Sequence, residues 1–106
     1  MRIAVPAVLL IAGTAVPALA QEKVSDAEAL AIVRKHCIAC HADKPTHPAF
    51  EQPPKNVALE SLAQLKQHAV SVYQQTVQDR AMPLGNAAAM TDAERAALGR
   101  WIKALP

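Results

Sequence analysis

Two cysteines stand three positions apart at Cys37 and Cys40, and a histidine, His41, follows the second at once. Thiols at that spacing can reach two vinyl groups on one edge of a porphyrin and become thioethers. The adjacent imidazole can then swing beneath the iron as its proximal ligand. That chemistry is covalent attachment of one haem c. A bare C-x-x-C also serves zinc knuckles and thiol–disulfide exchangers. The histidine, the absence of a third cysteine and an export-type N-terminus favour haem over both.

The N-terminus reads as an address. Arg2 supplies a positive charge, Ile3 to Val16 is almost wholly apolar, and Ala18-Leu19-Ala20 is a small-x-small cleavage site before the polar Gln21-Glu22-Lys23. Pro6, Gly13 and Pro17 interrupt the apolar run, which falls short of the roughly 20 residues that span a bilayer. The reading predicts a cleaved signal peptide over 1–20 and one exported domain over 21–106. That domain is expected in the periplasm, with no membrane span after cleavage. An exported C-x-x-C could also form a disulfide, but its loop is too small to staple much.

A domain of this size has a marginal apolar core, usually completed by a metal, a disulfide or a cofactor. Phe50, Tyr73 and Trp101 are its only aromatic residues, so a buried porphyrin would supply missing apolar volume. Without Arg2, ten basic side chains face nine acidic ones, and no basic stripe points to nucleic acid.

The positioning elements read as helices. Ser25-Asp26-Ala27-Glu28 is a capping box, and Leu30, Val33 and Cys37 follow at helical spacing, so a first helix runs from about Asp26 into the cysteine motif. Four prolines between Ala42 and Asn56 exclude regular structure there, and Asn56 suits a left-handed turn position. Leu59 to Arg80 keeps an apolar face through Leu62, Leu65, Ala69, Val72, Thr76 and Val77, predicting a helix in one or two pieces, with Ser61 or Ser71 as caps. Pro83 and Gly85 end it. Thr91-Asp92-Ala93-Glu94 is a second capping box, opening a helix to about Leu105 with Leu98, Trp101, Ile102 and Leu105 on its apolar face.

A haem iron with one open side binds small molecules, whereas a second protein ligand suits electron transfer. Met82 lies on a loop ahead of a proline, where a thioether can be pinned over iron free of helix geometry. Met90 precedes the N-cap Thr91, where packing across the helix start is the ordinary role. Met82 is therefore the favoured sixth ligand and Met90 the other methionine. His47 and His68 are the bis-histidine alternatives.

These residues resemble the class I c-type cytochromes. Arg80-Ala81-Met82-Pro83-Leu84-Gly85-Asn86, Met90-Thr91-Asp92-Ala93-Glu94-Arg95, Leu98-Gly99-Arg100-Trp101-Ile102 and Pro45-Thr46-His47 are most similar to the C-terminal cytochrome c domain of bacterial membrane-bound urate oxidases, across most of residues 31 to 103. That family carries membrane helices ahead of the domain, where this chain is expected to have a signal peptide. The resemblance implies an all-α class I cytochrome c fold, three to four helices around one covalent haem. It implies a proline carbonyl that accepts the proximal histidine's Nδ1 hydrogen, with Pro54 the candidate and Pro53 next to it. It also implies Met-Pro ligation at Met82 and a last helix crossing the first through Leu98 and Trp101. Ala29 and Val33 stand where the family often has glycine and an aromatic residue.

The expected function is a periplasmic monohaem electron carrier rather than an enzyme, with iron held by His41 and Met82. It would pass single electrons between a membrane or periplasmic dehydrogenase or oxidase and the respiratory chain, as far as a terminal oxidase. The alternatives are a haem sensor or gas binder with an open sixth site and, further off, a thiol redox or zinc protein.

Overall fold

Side-chain caps open three of the four α-helices among the described residues. In the computed structural model, which describes residues 2–9, 13 and 23–106, Ser25 Oγ accepts the Glu28 N–H at 3.1 Å while the Glu28 carboxylate accepts the Ser25 N–H at 3.4 Å. Helix α1 then spans Asp26–His36. Asp26 and Glu28 in its first turn and Arg34 and Lys35 in its last suit the helix dipole.

The segment expected as one or two helical pieces forms three successive ones. Ser61 and Gln64 build a capping box for α2, Leu62–Gln67. His68, at φ −102° and ψ 12°, interrupts the ladder before α3, Ala69–Val72, and a π-helical turn follows over Tyr73–Gln78. There the Asp79 N–H reaches back five residues to the Gln74 carbonyl at 2.9 Å. Ser71 caps nothing and lies inside α3. After a short 3₁₀ turn at Leu84–Asn86, Thr91 Oγ1 accepts the Glu94 N–H at 3.0 Å and opens α4, Asp92–Lys103.

Helices α1 and α4 pack on one another, and Ala29, Val33, Leu98 and Trp101 are buried in one cluster with Leu59, Leu65, Val72 and Met90. Trp101 Nε1–H donates to Asp26 Oδ1 at 2.9 Å, tying the end of α4 to the first turn of α1. A Cβ at Gly99 would stand 3.2 Å from Val77 Cγ1, so glycine lets α4 lie close against the Tyr73–Gln78 turn.

Among the described residues there is no strand, and the chain is all-α as expected. None of their helices is long and apolar enough to cross a membrane. Residues 2–9 carry no regular structure, and the expected cleavage site at Ala18-Leu19-Ala20 lies outside the described residues.

Candidate cofactor cleft

The chain from the end of α1 folds straight into a tight turn. The N–H groups of Cys40 and His41 both reach the Cys37 carbonyl, at 3.3 and 2.9 Å. Those of Thr46 and His47 both reach the Ala39 carbonyl, at 3.0 and 2.9 Å. Cys37, Cys40 and His41 thereby line one cleft. The proline loop adds His47, Phe50 and Pro54 to its lining, and the loop before α4 adds Met82, Pro83 and Leu84. The cleft encloses about 180 Å³.

His41 is oriented by a backbone acceptor. Its Nδ1 lies 2.8 Å from the Val57 carbonyl, and because a carbonyl only accepts, Nδ1 carries the hydrogen, which in the neutral ring leaves the lone pair on Nε2. The expected Pro54 carbonyl is not that acceptor. Pro54 takes the Val57 N–H at 3.1 Å and Pro53 the Asn56 N–H at 3.0 Å, so both proline carbonyls are engaged in the 3₁₀ turn Pro54–Asn56. Lys55 and Asn56 have φ of 55° and 59°, the left-handed geometry anticipated at Asn56, and they turn the chain so that Val57 presents its carbonyl. The Leu59 N–H, bonded to the His41 carbonyl at 2.8 Å, pins this strap a second time.

Met82 is fixed through both sides of its backbone. Its N–H donates to the Gln75 carbonyl at 3.0 Å, and its carbonyl accepts from Arg95 Nη1 at 2.8 Å. Met90 points elsewhere: it is 6% exposed and belongs to the apolar core, in the packing role its sequence position suggests. His68 sits at the break between α2 and α3, away from the cleft lining. His47 does line the cleft, with Nδ1 accepting the Ala49 N–H at 3.1 Å and its ring 5.7 Å from that of Phe50.

The sequence reading missed His36 among the lining residues. His36, the last residue of α1, is buried, and its Nε2–H donates to the Glu94 carboxylate at 2.9 Å while Nδ1 has no partner in the protein. Its signal was the buried stripe Ala29, Val33, His36, at intervals of four and three. Lys35 Nζ stands 3.8 Å from the same Glu94 oxygen. The Thr91 backbone N–H, and after it the His36 ring, hold the Glu94 carboxyl below the usual carboxylate range.

Burial, and then the neighbouring Cys40 thiol, push the Cys37 thiol up to about 11. A thiol-exchange site needs the opposite shift. Among the described residues no three His, Cys, Asp or Glu side chains converge as a metal-holding group. What the cleft offers is two thiols, the His41 imidazole held through Nδ1, the further rings of His36 and His47, and one thioether. No protein-family model, no curated protein and no solved structure matches the chain.

Proposed function

We propose that the chain is a monohaem c-type cytochrome that carries single electrons, with Cys37 and Cys40 as the thioether residues and His41 and Met82 as axial ligands. The observation that carries this reading is that these four residues line one cleft while Met90 and His68 lie outside it. The donor set fits the group. His41 holds its hydrogen on Nδ1 and so keeps Nε2 for a metal, the arrangement metal-bound histidines use. The apolar side chains of Phe50, Pro54, Pro83 and Leu84 suit a porphyrin's faces. The raised Cys37 thiol is the opposite of the lowered, nucleophilic thiol that a thiol-exchange site uses.

When bound, the haem would supply the ferric–ferrous couple that takes up and releases one electron. The chain's own part is ligation, exclusion of water and control of the ring positions. The Val57 carbonyl keeps the His41 imidazole from rotating. Met82 is preferred over His47 as sixth ligand because the His47 N–H is bonded to the Ala39 carbonyl inside the cysteine turn. That tether ties His47 to the cysteine turn itself, whereas Met82 comes from a separate segment. A methionine in this cleft also disfavours the gas-binding alternative, which needs an open site.

Export to the periplasm, and partners among membrane or periplasmic oxidoreductases, follow from the N-terminal pattern and the likeness to the cytochrome domain of urate oxidases. Oxidised and reduced absorption spectra test the reading. A methionine-to-iron charge-transfer band in the ferric protein, lost in Met82→Ala with haem still attached, is the expected result. A ferric spectrum without that band in the wild type would overturn His/Met ligation.

A further inference from the structure

We infer that Arg95 is the positioning residue that keeps Met82 on the iron, an inference that rests on the His41/Met82 reading. Arg95 is on the first turns of α4, and its Nη1 donates to two carbonyls from different segments, Thr76 at 2.7 Å and Met82 at 2.8 Å. The first belongs to the Tyr73–Gln78 turn and the second to the candidate ligand itself, so one guanidinium nitrogen joins the methionine loop to both α4 and the preceding helical turn. The Met82 N–H is held by the Gln75 carbonyl at 3.0 Å, one residue from Thr76. Two residues before Met82, Arg80 forms an ion pair with Asp92 in the first turn of α4.

The chemistry gives this clamp its purpose. A thioether is a neutral, weak ligand that competes with water and with any free imidazole or amine. It wins only if its loop seldom leaves. Hydrogen bonds donated by a cation are about twice as strong as neutral ones, and arginine keeps its charge at every working pH. The planar fork can also serve two carbonyls from a fixed geometry, which a lysine ammonium on a flexible stem does less well. Arg95 is partly buried where it meets both carbonyls, so water does not readily replace it.

A protein whose sixth site is open only part of the time binds an outside ligand with an affinity reduced by that open fraction. Imidazole titration of the ferric holoprotein therefore reads the clamp directly. Arg95→Gln should bind imidazole about tenfold more tightly than wild type, as expected for loss of a charge-assisted hydrogen bond. Arg95→Lys should fall between the two and serves if the glutamine variant matures poorly. Met82→Ala should bind more tightly than either. Leu65→Val, which loosens the core from α2, a helix that carries neither Arg95 nor the methionine loop, should keep the wild-type affinity, so a merely structural role for Arg95 would not mimic the result. Wild-type imidazole affinity in both Arg95 variants, with tight binding in Met82→Ala, would overturn the clamp alone. Wild-type affinity in Met82→Ala would instead overturn the ligand assignment beneath it.

Discussion

Glu94 and Arg95 are consecutive residues of α4 that hold two different segments of the cleft. The Glu94 carboxylate takes the His36 Nε2–H at 2.9 Å, just ahead of the cysteine turn, while Arg95 holds the Met82 carbonyl at 2.8 Å. The opening turns of one helix thus fix the spacing between the cysteine–histidine turn and the methionine loop. Glu94 has a second duty, closing the capping box that starts the helix. A disturbance of α4's N-terminus should therefore be felt at both segments.

The pH dependence of stability follows from Glu94. Its carboxyl is held low first by the Thr91 N–H and then by His36. A depressed folded pKa gives a contribution that is complete above the unfolded glutamate value of about 4.3 and is lost as pH falls through the folded value. Glu94→Gln keeps the capping geometry but not the charge. Urea melts taken from neutral to acid pH should show the variant less stable at neutrality and flatter on acidification. Parallel wild-type and variant curves would remove Glu94 from the acid response.

Leu65 on α2 is fully buried, so Leu65→Ala should cost about 2–5 kcal/mol in urea unfolding at unchanged helix content. A loss below about 1 kcal/mol would mean that the core repacks around the site.

Met90→Ala separates the two methionines. Met90 is a core residue, so its truncation should cost about 2–5 kcal/mol and leave the ferric charge-transfer band in place. Loss of that band in Met90→Ala, with its retention in Met82→Ala, would transfer the ligand role.

Attachment can be dissected residue by residue. Cys37→Ser and Cys40→Ser should each leave at most one thioether. His41→Ala should prevent stable holoprotein, since the iron loses its proximal ligand. Doubly attached haem in either serine variant, seen by mass spectrometry, would rule out thioethers at these positions.

The helix starts were legible in the sequence because capping is local: Ser25 with Glu28 and Thr91 with Glu94 span a single turn each. The cysteine–histidine motif and the loop position of Met82 were equally plain. The acceptor for His41 was not. Choosing between Pro54 and Val57 depends on how a 3₁₀ turn engages its own carbonyls and on two consecutive left-handed residues, Lys55 and Asn56. The π-helical turn at Tyr73–Gln78 also left no periodic signal of its own, because the apolar face at Thr76 and Val77 reads as ordinary helix. His36 with Glu94, and Arg95 with Met82, are pairs made by tertiary packing and carry no spacing rule.

The most direct measurement is retention of haem by the unfolded chain. Protein produced with an intact cytochrome maturation system is denatured in acid and solvent, separated from free haem, and examined by absorption and intact mass with thiol titration. The prediction is one haem remaining on the polypeptide, no free thiol, and both bonds mapping to Cys37 and Cys40. A colourless polypeptide with two titratable thiols would contradict the proposed function at its root.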